Sequence, residues 1–188
     1  MSYTDRTLPF PRGETYNQSG LLTLTNYSYW SHLEGQRFKV PDTVHSTGAD
    51  VELIVLRNGS GSAITSEARL LKFGTAALNF GRVAGGFNNV AGGVAVPLDD
   101  AYTASKSIAS NDLFYAVLSG PCNVKTEASS VNLAQGAAVA SDASGYINGA
   151  AAAAGETVIG VIDQASTTVA ESVVVHIINP LKKSEAAG

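Results

Sequence analysis

The residues best suited to chemistry in this chain are three histidines and one cysteine, and their spacing supports no metal or catalytic site. His32, His45 and His176 each lie far from another histidine and from Cys122, whereas zinc sites take ligands at short, regular spacing. Cys122 is the only cysteine, which excludes an internal disulfide. Its place beside the alternating residues that follow it predicts a small buried strand residue and not a reactive thiol.

Other chemical motifs are also missing. Asp99 and Asp100 lack the regular spacing of a calcium loop, so they are interpreted as a solvated turn. No glycine-rich loop ends in Lys-Ser or Lys-Thr, and no serine lies in a nucleophile elbow. His176 alternates with Val174 and Ile178 and is interpreted as a hydrogen-bonded core or interface residue. We therefore predict a protein that is not an enzyme and that has no cofactor and no metal.

The composition indicates a folded chain with an unusually uncharged surface. Hydrophobic residues make up 45% of the 188 residues and charged residues 15%, against roughly 25% charged residues in ordinary soluble domains. Low charge favours a surface that neighbouring molecules cover, although a secreted monomer with a Ser/Thr-rich surface is the alternative. The net charge of −4 and the lack of a basic cluster argue against nucleic-acid binding.

No segment predicts a membrane span or export. The apolar runs are too short to cross a bilayer. The opening residues, Met1 to Arg6, have no apolar stretch behind them, so we expect no secretory signal and a protein made and used without secretion.

The first 35 residues differ from the rest and predict an extended N-terminal arm. Pro and Gly interrupt them, and they show no sustained helical or strand period. Yet seven of the 14 aromatic residues lie within the first 38 positions. Rings on an irregular segment suit an arm that lies on another surface, although they could instead pack on their own domain. The predicted partner-interface residues are Phe10, Tyr16, Leu21, Leu22, Tyr27, Tyr29 and Trp30.

From residue 36 to residue 180 the pattern predicts a single all-β domain, either a β-barrel or a β-sandwich. Short β-branched runs alternate with Gly, Pro and Asn turns, and two of the runs are apolar on both faces. Gly120-Pro121 is interpreted as a turn, and the segment from Val139 to Ile147 as a hairpin. The predicted strands are 37–40, 51–57, 68–73, 113–118, 122–126, 157–163 and 172–178.

Three segments fall outside this pattern. Residues 74–100 form a Gly-rich insertion that contains Val-Ala-Gly-Gly twice, interpreted as an extended loop or protruding hairpin. The alanine run at 150–154 lies between two glycines and is too short for an independent helix, so we expect a loop tip. Residues 181–188 form a C-terminal tail.

Two stretches together resemble a known family. They are Asn26 to Asn58 (NYSYWSHLEGQRFKVPDTVHSTGADVELIVLRN) and Asn111 to Thr126 (NDLFYAVLSGPCNVKT), the second followed by the hairpin from Val131 to Ile147 and by the segment from Gly160 to Ser166. This order of predicted strands and short sequence motifs is similar to that of the decoration (cement) proteins of tailed bacteriophage capsids.

The resemblance implies a structural virion protein made in the host cytoplasm and bound to the capsid exterior. Such a protein cements neighbouring subunits of the major capsid protein, so the expected partners are that protein and further copies of this chain, as a homotrimer. It implies no nucleic-acid or membrane partner. The alternative function is a receptor- or glycan-binding β-domain of a tail fibre or surface adhesin, which would need a groove with exposed aromatic and polar groups.

Overall fold

The computed structural model describes residues 8–9, 33–64, 68–72, 82–83, 95–97, 107–127, 132–142, 144–149, 158–167 and 171–178, and these ranges contain strands and no helix. The predicted all-β class is thereby confirmed. The strands are β1 (Arg37–Pro41), β2 (Asp50–Asn58), β3 (Leu70–Lys72), β4 (Arg82–Val83), β5 (Ala95–Pro97), β6 (Leu113–Lys125), β7 (Ala138–Ser141), β8 (Ile147–Gly149), β9 (Val158–Ile162) and β10 (Ser172–Ile177).

Seven of these strands form one antiparallel sheet in the order β1-β2-β6-β10-β9-β7-β8. β4 adds a short parallel pairing at the end of β2, and β3 pairs with β5 in a separate two-stranded sheet. The main sheet does not close into a complete barrel, since β1 and β8 are its edges among the described strands. One parallel bridge, between Thr126 and Ile147, nevertheless brings β8 back beside the end of β6.

The centre of the sheet is the pair β2–β6, which is buried on both faces. In both strands the apolar runs predicted from the sequence have no polar alternation, and residues 113–118 are all fully buried. One face, which carries Leu53, Val55 and Tyr115, joins the larger core. The other face, which carries Ile54 and Phe114, is covered by a smaller cluster that includes Ile108. The sequence therefore folds around two apolar layers on opposite sides of one strand pair.

The far half of the sheet curls around the larger core, to which β7, β8, β9 and β10 each contribute apolar side chains. The predicted hairpin is present as β7 and β8. In its turn the Asp142 carboxylate accepts hydrogen bonds from the N–H groups of Ser144 and Tyr146. The Arg69 guanidinium lies 4.3 Å from the centre of the Tyr146 ring. These contacts fix the hairpin against the segment that leads into β3.

The predicted turn at Gly120-Pro121 is wrong, because β6 runs without reversal from Leu113 to Lys125. Gly120 has a φ of 105° and lies against the β2 backbone, where a Cβ atom would meet the Asp50 carbonyl oxygen at 2.5 Å. β2 pairs with β6 only as far as Ser119, so the missing N–H of Pro121 breaks no hydrogen bond to β2. The Gly-Pro pair therefore bends the strand instead of ending it.

The Gly-rich stretch is not wholly separate from the body of the fold. Two of its segments are described, and each pairs with the rest of the chain: β4 with β2, and β5 with β3. The alanine run at 150–154 and residues 179–188 lie outside the described residues.

The loop between β1 and β2 is organised by Asp42, a carboxylate that is only 8% exposed. It accepts hydrogen bonds from the N–H groups of Val44, His45 and Thr47 and from the Thr47 hydroxyl. Burial alone would raise the pKa of Asp42, but these hydrogen bonds stabilise the carboxylate and hold its pKa well below the ordinary range. The loop thus fixes the β1–β2 hairpin through one charged acceptor.

Replacing this acceptor should lower stability in a pH-dependent way. We expect Asp42→Asn to lose about 1–2 kcal/mol of unfolding free energy at neutral pH, because an amide cannot accept all four hydrogen bonds. A lowered pKa contributes stability above the unfolded value of about 4 and loses it as pH falls further. Urea unfolding at several pH values should therefore show that the difference in unfolding free energy between wild type and variant becomes smaller in acid. A difference in unfolding free energy that stays constant from neutral pH into strong acid would contradict this role of Asp42.

The bend in β6 should tolerate no side chain at position 120. We expect Gly120→Ala to destabilise the fold by about 2–4 kcal/mol, because it combines a left-handed backbone with a clash against backbone atoms. Gly136→Ala is the matched control, since Gly136 has a φ of 82° but open space around it. It should lose only about 1 kcal/mol. Equal losses for the two variants in urea unfolding would mean that the close approach to β2 is unimportant.

Candidate functional site

The β1–β2 hairpin places two rows of opposite charge side by side on one face of the sheet. In its register Lys39 lies opposite Glu52 and Pro41 opposite Asp50, while Arg37 lies opposite Ile54. Since alternate residues of a strand share a face, the two cations of β1 and the two carboxylates of β2 point to the same side. We call this surface the β1 groove. Its lining consists of Arg37, Phe38, Lys39, Asp50, Glu52 and Ser119.

The charges in the groove are paired diagonally. The Lys39 ammonium lies 2.8 Å from the Asp50 carboxylate, and the Arg37 guanidinium lies 3.6 Å from the Glu52 carboxylate. The hydrogen bond to Asp50 and its negative charge raise the pKa of Lys39 above its ordinary value. The Lys39 side chain is still 72% exposed and that of Arg37 46% exposed. Both cations therefore keep a solvent-facing side on which a ligand could be bound.

β6 supplies the last polar group of the groove. A register shift between Glu52 and Leu53 brings Ser119 opposite Glu52. The Ser119 hydroxyl donates a hydrogen bond of 3.1 Å to the Glu52 carboxylate. The open groove has a volume of about 450 Å³, which lies within the range of small-molecule sites.

The groove has the chemistry of a binding surface. Among the described lining residues there is one hydroxyl, bound to a carboxylate that also faces Arg37, and no imidazole. A nucleophilic serine needs an adjacent base and a group that orients that base. What the groove offers instead is two cations and two anions in fixed register, which can recognise charge and extended backbone.

A buried ion pair fixes the start of the domain beside the groove. Arg57, with a side chain 3% exposed, pairs with Glu34, whose side chain is 13% exposed. The Arg57 guanidinium also donates to the Asn111 carbonyl, at 3.1 Å. Gly35 donates its N–H to the Val55 carbonyl, at 2.8 Å. The chain that enters β1 is therefore held against β2 by both charge and backbone hydrogen bonds.

The aromatic and leucine residues predicted as the partner interface lie outside the described residues. These are Phe10, Tyr16, Leu21, Leu22, Tyr27, Tyr29 and Trp30. Of the first 35 positions, residues 8–9 and 33–35 are described. Leu8 packs against the larger core, and Leu33 is buried within it. At least these two positions of the predicted arm thus contact their own domain.

The residues first considered for chemistry have separate places in the fold. Cys122 is fully buried in the larger core, as predicted for a structural strand residue. His176 is not a core residue: it is half-buried on the outer face of β10, beside the exposed Val161 of β9. The strand alternation predicted its face correctly, but the core lies on the opposite side. His45 is half-buried in the Asp42 loop, and Asp99, Asp100 and His32 lie outside the described residues.

The sequence reasoning missed the residues of the β1 groove. The sequence did contain a signal. Arg37 and Lys39 lie two positions apart before the loop, and Asp50 and Glu52 lie two positions apart after it. Charges of opposite sign with a period of two on adjacent strands predict cross-strand pairs on one face. Ser119 had no such signal, because the register shift that brings it into the groove is set by the fold.

Comparison with protein-family models finds no match, and comparison with curated proteins finds none either. In the described ranges no three His, Cys, Asp or Glu side chains come together as a group that could hold a metal ion. The same ranges contain no helix with the length and apolarity needed to cross a membrane.

The buried Arg57–Glu34 pair should matter far more to stability than the exposed pairs of the groove. We expect Glu34→Ala to cost about 3–5 kcal/mol of unfolding free energy, because it removes the carboxylate beside a buried guanidinium. Glu52→Ala is the control, since its partner Arg37 is half-exposed, and it should cost less than about 1 kcal/mol. Urea unfolding measures both. Similar losses would show that burial does not distinguish the two pairs.

Proposed function

We propose that this chain is a structural, non-enzymatic virion protein that binds the outside of a phage capsid and cements neighbouring subunits of the major capsid protein. It does so as a homo-oligomer, and the family resemblance makes that oligomer a trimer. The protein is made in the host cytoplasm and acts on the capsid exterior.

One observation carries the proposal: the stretches that resemble capsid decoration proteins supply most of the main sheet, namely β1, β2, β6, β7, the first residue of β8 and the end of β9. Residues 111–126 contain the whole of β6, and residues 131–147 contain β7 and the first residue of β8. Residues 160–166 contain the end of β9, and Ser166 bridges back to Leu133. The stretches that resemble decoration proteins in sequence are thus neighbours in space. Their grouping in one sheet supports the family resemblance and, through it, the proposed role.

The architecture also suits a cementing role. The β2–β6 pair is packed on both faces and supports a rigid platform, and the charged fraction of 15% leaves much of the surface open to coverage by neighbours. Aromatic residues concentrated before β1 offer the apolar area that a fastening arm needs.

The alternative function, glycan or receptor binding, has weaker support. Sugar-binding grooves commonly offer a free aromatic face, and among the described residues that line the β1 groove Phe38 is the only aromatic one. Its ring packs edge-on against Tyr115, with the ring centres 6.4 Å apart. Phe38 therefore belongs to the core side of the strand.

Co-sedimentation with assembled phage heads tests the proposal, and substitution tests the arm better than deletion, because deletion would remove Leu8 from the core. We expect the double variant Phe10→Ser with Tyr16→Ser to keep the melting temperature and to weaken head binding about tenfold or more, since two apolar anchors are lost.

Leu8→Ala is the control: it should lower the melting temperature yet bind heads as wild type does. Failure of the wild-type chain to co-sediment, together with binding to a glycan array, would replace the proposal with the alternative. Head binding that is unchanged in the double variant would remove the arm from the mechanism and leave the cementing role to the sheet.

A further inference from the structure

The outer edge of β1 carries backbone groups that point away from the sheet. Val55 donates its N–H to the Gln36 carbonyl, and Asp42 donates its N–H to the Ala49 carbonyl. Both pairs follow the β1–β2 register, so the even-numbered residues of β1 form the hydrogen-bonded pairs with β2. In an antiparallel ladder the residues between them direct their N–H and C=O groups to the other side.

The groups on that side belong to Arg37, Lys39 and Pro41. Arg37 and Lys39 each present an N–H and a C=O, and Pro41 presents a C=O alone. β1 is an edge of the main sheet among the described strands. An edge of this kind is a template for an added strand unless it is covered or blocked.

The side chains of β1 define the chemistry of a strand that would fit there. Arg37 and Lys39 lie on the groove face, and their intramolecular partners Glu52 and Asp50 lie on the β2 side, away from the edge. The outermost row of this face is therefore positive. Phe38 and Val40 lie on the opposite face, packed against the larger core. A strand added beside β1 would place alternate residues next to the two cations and the others next to these apolar side chains.

We infer that the outer edge of β1, which is a sheet edge among the described strands, binds an extended protein segment by strand addition. In that segment acidic residues alternate with apolar residues. The acidic side chains lie beside Arg37 and Lys39, and the apolar side chains extend the core beside Phe38. Backbone hydrogen bonds to the Arg37 and Lys39 N–H groups supply affinity, and the two cations supply charge selection.

A second copy of this chain does not fit the same edge. Antiparallel pairing of β1 with β1 sets the row of Arg37 and Lys39 against the identical row of the partner copy. Like charges directly opposite each other destabilise a strand pair. The cationic row therefore selects against pairing of β1 with β1 of a second copy, and for an acidic partner at this edge. The inference does not depend on that partner being a capsid protein.

Amide exchange in the full-length ¹⁵N-labelled chain tests the inference, with a short synthetic peptide that alternates glutamate and valine as the probe. In the free protein the Arg37 and Lys39 amides should exchange fast, and those of Phe38 and Val40 slowly. Saturating peptide should slow the Arg37 and Lys39 amides about tenfold or more. A peptide that alternates lysine and valine should bind about tenfold more weakly at low salt, and added salt should narrow this difference.

Two variants separate backbone from charge. Lys39→Pro removes the ammonium together with an outward N–H, without touching the β2 ladder. It should weaken binding of the acidic peptide about tenfold and weaken binding of the basic peptide as well, which loss of the charge alone would not do. The double variant Arg37→Gln with Lys39→Gln keeps both N–H groups, so it should abolish the preference for the acidic peptide even if the proline variant fails to fold. Lys125→Gln, at the other end of β6, is the matched control and should bind as wild type does.

Three results would overturn the inference. One is peptide binding that protects no β1 amide, and another is equal binding of the acidic and basic peptides. The third is concentration-dependent protection of the Arg37 and Lys39 amides without peptide, which would assign the edge to a second copy. Co-sedimentation with phage heads is a separate experiment, so a negative result with the peptides would not decide the proposed function.

Discussion

Strands β2 and β6 pair along most of β2, and both faces of that pair are buried. The larger core lies on one side and the smaller cluster on the other. A strand pair that is covered twice cannot slip by one residue without exchanging its two apolar faces, so its register fixes every strand attached to it. β1 takes its place from β2, and β10 takes its place from the far half of β6. The curl of the remaining strands around the larger core follows from this pairing.

The β1 groove arises where the double coverage ends. On the groove face the smaller cluster covers Ile54 and Leu56 of β2, and two residues further along the same face is Glu52. There the neighbouring strand β1 contributes Arg37 and Lys39, which are exposed because β1 is an edge. Along this face of β2, the side chains thus change from buried and apolar at Ile54 to polar at Glu52, the next residue on the same face. The spacing of its polar residues is fixed because they lie on the same strand backbones as core residues.

The two surfaces considered for assembly differ in physical character. The arm predicted from the sequence offers aromatic area, and its energy would come from burying rings. The β1 edge offers directed backbone groups and charge, and its energy would come from hydrogen bonds and ion pairs formed at one register. A protein fastened through both could combine strength from the arm with selection by the edge. The buried Arg57–Glu34 pair lies at their junction and holds the end of the arm in place before β1 begins.

Much of the fold could be predicted from the sequence because buried strands and turns have recognisable local patterns of apolar and turn-forming residues. Runs that are apolar on both faces marked β2 and β6 as central strands, and the turn residues around Asp142 marked the β7–β8 hairpin. The lone cysteine in an alternating strand was correctly assigned to the core. The candidate site was not predicted, although the alternating charges of Arg37, Lys39, Asp50 and Glu52 contained most of it.

What the sequence determined by itself was the all-β class, most strand positions and the absence of a recognisable catalytic motif. Only the tertiary structure decided that Gly120-Pro121 bends a strand, because a Gly-Pro pair suits both a turn and a bend, and the close approach of β2 selects between them. It also decided that His176 faces outward and that Ser119 joins Glu52. Local alternation tells which residues share a face. Which face meets the core depends on neighbours that are distant in sequence.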